Sequence, residues 1–120
     1  MILVLFEVTI KEACMNDYLA LASELKVSLN SANGFIRSER FSSLVNQRKL
    51  LSLSVWESEA AVNNWRNQQD HRNSQKNGRN SMFESYNITV ASALRSYTDT
   101  KRQEAPADSN IFFDSTDNPE

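Results

Sequence analysis

At 120 residues, with 40% hydrophobic and 23% charged side chains, the chain suits one domain around one core and is too short for two ordinary ones. A net charge of -2 with no run of Lys or Arg argues against a nucleic-acid partner. Two glycines exclude the usual glycine-rich dinucleotide and phosphate fingerprints, and a single cysteine excludes an intramolecular disulfide or a thiolate metal cluster.

Residues 2–10, Ile-Leu-Val-Leu-Phe-Glu-Val-Thr-Ile, are β-rich and apolar on both alternating faces, which predicts a central strand covered on both sides. The apolar run 1–6 has no basic leader and meets Glu7 far short of a membrane span; with Cys14 as a lone thiol, the expected location is the cytoplasm. From Glu12 the period changes. Cys14, Tyr18, Leu21, Leu25 and Leu29 recur at three- and four-residue steps and predict an amphipathic helix stopped by Asn33-Gly34. Residues 35–44 read as a strand with one polar face, 45–48 as a turn, and 49–56 as the strand that completes a hairpin.

Ser58 stands where a helix N-cap would, flanked by Glu57 and Glu59 at the positive end of the dipole, and Ala60, Ala61, Val62 and Trp65 continue in helical register. Around Gln68-Gln69-Asp70 the pattern loosens. Asp70 can cap again, so the spacing predicts a break or kink near residue 69 and a further helical stretch over about 71–83. Alternation over 86–97 predicts the last strand.

The order is βαββαβ, which predicts an α+β, ferredoxin-like fold: a four-stranded antiparallel sheet with both helices on one face. The uncovered face is a candidate to meet a second copy by two-fold symmetry, giving a homodimer with a cavity between two sheets. Residues 1–103 hold all 13 bases and 10 acids, whereas 104–120 hold five acids and no base. The expected division is therefore a domain over 1–103 and an acidic C-terminal tail over 104–120. Apart from Ile111-Phe112-Phe113 the tail reads as disordered; that trio is either a chance cluster on a solvated segment or a docking point on its own domain or a partner.

Ser54-x-Trp56-Glu57-Ser58-Glu59-Ala60, Trp65-Arg66, His71-Arg72, Gln75, Gly78-Arg79 and Phe83-x-x-Tyr86 together resemble the pattern of antibiotic biosynthesis monooxygenase domains, in the subgroup labelled heme-degrading-monooxygenase-like. Gly34-Phe35, Glu39 and Arg95-x-Tyr97 extend the resemblance over residues 1–97. It implies a dimeric α/β barrel whose cavity holds an aromatic substrate, a quinone-like molecule or, in some branches, haem.

His71 is the only histidine, and so the only side chain whose ordinary titration lies near neutral pH; it is either a base in a cavity wall or a helix-start residue that caps or packs beside Trp65 or Tyr86. Trp65 and Trp56 are either core residues or aromatic walls for a flat ligand. Arg37, Arg40, Arg72 and Arg79 can each bind an anionic substrate or a developing oxyanion, or stand as surface charges paired with Glu39 or Glu84. Ser54 and Tyr86 can present hydroxyls to a cavity, while no Gly-x-Ser-x-Gly element marks a hydrolase.

The resemblance thus implies cofactor-independent monooxygenation of a small aromatic or quinol-like substrate, with His71, Trp65 and Arg79 as catalytic candidates. Trp56, Arg40, Ser54, Phe83 and Tyr86 are the substrate-binding candidates, and no metal is expected. One alternative is haem binding with oxidative ring opening. The haem-degrading pattern has an Asn on the first strand, a Trp on the second helix and a His further along it; the counterparts here are Phe6, Trp65 and Gln75, so His71 would have to ligate the iron from a different turn. The other alternative is a non-catalytic dimer that holds a small hydrophobic ligand. Neither a membrane nor nucleic acid is an expected partner.

Overall fold

A computed structural model of the chain describes the backbone of residues 1–75 and 80–116, and the side chains of residues 1–68 and 81–111. Ile2–Ile10 (β1) is the central strand its two apolar faces predict, paired on one side with Lys49–Trp56 (β3) and on the other with Phe83–Ser92 (β4). Phe35–Ser42 (β2) lies outside β3, so the sheet order is β2-β3-β1-β4 with every neighbouring pair antiparallel. Met15–Asn30 (α1) joins β1 to β2, and Glu59–Gln75 (α2) joins β3 towards β4. This is the expected ferredoxin-like arrangement.

Side-chain alternation fixes what each face does. Val8 and Ile10 of β1 pack with Tyr18 and Ala22 of α1, and Trp56 of β3 packs with Ala61 and Val62 of α2, so the even-numbered residues of β1 and β3 face the helices. Leu3, Leu5, Leu51 and Leu53 consequently point to the other face, together with Val55, which is 1% exposed there. The interior of β3 thus inverts the usual rule: Ser52 and Ser54 lie under the helices while leucines line the opposite side.

The α1 stop signal works as its sequence predicts. Gly34 takes φ 79°, in the left-handed region, and its carbonyl accepts the Glu57 N–H at 2.8 Å. A Cβ on Gly34 would stand 2.6 Å from the Ala61 Cβ, so the absence of a side chain is what lets the start of α2 seat against the end of α1. Ser58 caps α2, its Oγ accepting the Ala61 N–H at 3.2 Å.

Four expectations change. The break near residue 69 is not there: α2 runs through Asp70 to Gln75, because an amide-rich stretch without Gly or Pro can continue a helix, and a lone Asp does not force a cap. The last strand is Phe83–Ser92 rather than 86–97; it starts opposite Ile10 across a bulge and stops when β1 runs out, the Ala93 N–H ending on the Met1 carbonyl. The first hairpin strand ends at Ser42, since the Ser43 Oγ accepts the Val45 and Asn46 N–H groups and turns the chain. Finally, Ala107–Thr116 within the acidic tail is a helix, α3. Arg102 braces its first turns by donating from Nε to Asn110 Oδ1 and from Nη2 to Ser109 Oγ, each at 2.9 Å. Ile111 is exposed there, while the side chains of Phe112 and Phe113 fall outside the described residues.

Candidate active site

Cross-strand register builds a floor of two rows beneath the helices. One runs Ile88, Phe6, Ser52, Arg40 from β4 to β2, and the next runs Val90, Val4, Ser54, Ser38. Each row is apolar on β4 and β1 and polar on β3 and β2. The roof comes from Tyr18, Ala22, Leu25 and Leu29 of α1 and Val62 and Trp65 of α2, at the three- and four-residue spacing of a helix face. Between floor and roof lies a cavity of about 460 Å³, within the range of small-molecule sites.

Two aromatic clusters close its ends. Trp56, 1% exposed, takes the edge of Phe35 at 5.4 Å and lies 6.2 Å from the ring of Trp65. Its Nε1–H donates to Ser54 Oγ at 2.9 Å, which orients the indole and leaves the Ser54 proton available to another acceptor. At the other end Phe83 packs on Phe6, Tyr18 and Tyr86 with centroids 5.6–6.1 Å apart. The β4 side is open: Tyr86, Ile88 and Val90 face the helix layer yet remain 59%, 54% and 52% exposed.

Trp65, Trp56, Arg40, Ser54, Phe83 and Tyr86 therefore meet in one cavity. It lies between the sheet and the helices of a single chain, where Ser52 and Ser54 leave unfilled space beneath the helix layer. Arg37 is exposed and stands on the opposite face of β2, and Glu84 pairs with Arg48 at 2.7 Å. The side chains of His71, Arg72 and Gln75 on α2 fall outside the described residues, as does Arg79 altogether. On the unbroken helix, position 71 is about one and two-thirds turns beyond position 65, so register alone does not put the two on one face. Phe6, at the position of the strand asparagine in the haem-degrading pattern, is an apolar wall packed 5.8 Å from Phe83 and Tyr86.

Sequence reasoning missed Val4, Tyr18, Ser38 and Ser52. The signal for Val4, Ser38 and Ser52 was the even-numbered face of the strands, which only the register makes legible, and that for Tyr18 was the apolar stripe of α1. Among the described residues no group of three or more His, Cys, Asp and Glu could hold a metal, and no helix is long and apolar enough to cross a membrane.

The family model described as antibiotic biosynthesis monooxygenase matches residues 1–77, nearly two thirds of the chain. The chain belongs to the antibiotic biosynthesis monooxygenase family. A relative named jasmonate monooxygenase ABM, from Pyricularia oryzae, is 32% identical over 96 residues, which are 80% of this chain and 45% of that protein. The chain thus spans less than half the length of that relative. Among solved structures, Rv0793 of Mycobacterium tuberculosis is similar with a TM-score of 0.70 at 13% identity, over 81% of this chain and 98% of that one. SnoaB of Streptomyces nogalater, described as a cofactor-independent oxygenase, is similar with a TM-score of 0.65 at 11% identity, over 79% of this chain and 94% of that one.

Proposed function

We propose that the chain is a monooxygenase that oxidises a small aromatic or quinol-like substrate in this cavity without a bound cofactor. The observation that carries the reading is the cavity between two aromatic clusters, open on the β4 side and floored on one half by apolar and on the other by polar side chains, in a chain of this family. The likeness to a cofactor-independent oxygenase supports the same chemistry.

In this reading His71 takes the proton from the substrate hydroxyl, and the electron-rich anion left behind reduces dioxygen itself. One oxygen atom enters at a ring carbon, the other leaves as water, and the substrate supplies the electrons. Trp65 and Trp56 hold the ring, Ser54, Phe83 and Tyr86 shape the walls, and Arg40 or Arg79 offsets the anionic charge. A homodimer is proposed as well, supported by the half-buried Leu3, Leu5, Leu51 and Leu53 on the sheet face turned away from α1 and α2, where a two-fold partner would remove their remaining surface from water. Light scattering of the purified chain tests the dimer; a monomeric mass at micromolar concentration refutes it.

The test of activity is oxygen uptake with a panel of hydroquinones, using the chain as purified. Uptake is expected, with KM raised in Trp65→Ala and kcat lowered in His71→Ala. No uptake with any member would overturn the oxygenase reading, and a haem absorption band that depends on His71 after haemin is added would replace it with the haem alternative.

A further inference from the structure

The geometry points to a second, finer property of this site, resting on its reading as the substrate cavity: the ligand carries a permanent carboxylate, bound by Arg40 at the polar end, on a largely apolar body. Arg40 stands on the helix-facing side of β2, opposite Ser52, and its guanidinium lies over the Tyr18 ring at 6.0 Å. Its Nε is buried and has no hydrogen-bond partner, and among the described residues Arg40 forms no ion pair. A buried N–H on a charged group is costly to leave unpaired, and arginine cannot shed its proton to escape that cost. A carboxylate on the ligand meets that donor in the resting complex and not only while charge develops in the reaction.

The surroundings narrow the kind of anion. Ser38, Ser52 and Ser54 occupy the floor positions around Arg40 and offer hydroxyls without charge. One half-buried guanidinium matches one negative charge; a phosphate dianion would bring a second charge with no partner at the same depth. Lys26 and Arg66 also line the cavity, but both are exposed and stand at its rim, where they steer an anion inward. Glu39, the one acidic lining residue, belongs to the opposite face of β2 with its cross-strand partner Leu53, and so does not satisfy Arg40.

The other end is set by the sheet. From β2 to β4 is three strand spacings, about 14 Å, and the second half of that path is Phe6, Val4, Ile88 and Val90. A charged group at Arg40 therefore leaves the remainder of the ligand against apolar side chains, which excludes small polyanions as good occupants.

Calorimetric titration with 4-phenylbutanoate and with its methyl ester tests the assignment on the wild-type chain. The acid is expected to bind about tenfold more tightly or better, the scale of a charge-assisted hydrogen bond. Arg40→Gln should erase the preference, and Arg40→Lys should keep part of it, with thermal melts verifying that both variants fold. Equal binding of acid and ester by the wild type, binding of neither, or a preference that survives Arg40→Gln would overturn the proposal. Oxygen uptake with 2,5-dihydroxyphenylacetate, a hydroquinone that carries a carboxylate, separates the two readings. An acid preference without uptake leaves the carboxylate site standing and removes the oxygenase; uptake without an acid preference does the reverse.

Discussion

Replacing Gly34 with Ala probes how the roof of the cavity is seated. At φ 79° an L side chain costs about 1–2 kcal/mol, of which the smaller freedom of the unfolded chain returns about 0.4–1 kcal/mol. The new Cβ would also stand 2.6 Å from the Ala61 Cβ, closer than two carbon atoms tolerate. Opening that contact moves the first turn of α2 and adds about 1–3 kcal/mol, as overpacking does in a core. The net expectation for Gly34→Ala is a loss of about 2–3 kcal/mol, read from urea unfolding followed by far-ultraviolet circular dichroism with an unchanged m value. Adding Ala61→Gly should recover the contact part but not the backbone part, giving a coupling of about 1 kcal/mol or more. A loss below about 0.5 kcal/mol for the single variant, or strict additivity of the pair, would refute the close-approach argument.

Ser54→Ala removes the acceptor of a buried indole N–H and should cost about 1–2 kcal/mol in the same unfolding experiment; no change would mean that the Trp56 ring is not held by this bond. Glu84→Gln should cost under about 1 kcal/mol, and the difference should shrink at high salt, because the side chains of Arg48 and Glu84 are 41% and 49% exposed. Arg102→Ala takes away the side chain that braces Asn110 and Ser109, so amide exchange over residues 107–111 should accelerate about tenfold while β1 is unaffected. Equal exchange in both chains would show that α3 is held by other contacts.

Strand β1 was legible as a β-rich run apolar on both faces, the β2–β3 hairpin as two strand-like runs around a turn, and Asn33-Gly34 as a stop whose physics is local. The course of α2 beyond Gln68 was not. Asn, Gln and Asp carry little apolar periodicity, and their helix propensity is too weak a preference to settle continuity. The end of β4 was hidden for a different reason: residues 93–97 keep alternating, but a strand needs a ladder partner, and β1 has none to offer past its first residue. Trp56, Trp65, Arg40, Ser54, Phe83 and Tyr86 were recognised from residue type and resemblance. Ser52 and Ser38 were not, because a serine alternating with leucine, or set between two charged residues, reads as solvent-facing, and here that polar stripe looks into the cavity.

The two tryptophans of the chain stand on the same cavity, one enclosed and one half-buried, with rings 6.2 Å apart. Their ultraviolet emission therefore comes wholly from that place, without background from elsewhere in the molecule. An electron-accepting ring that slides beside Trp65 would dim both emitters together, since excitation passes readily between indoles this close, whereas a ligand held only at the Arg40 end would leave their light almost untouched. The protein thus carries an intrinsic lamp that tells which half of the cavity a ligand occupies.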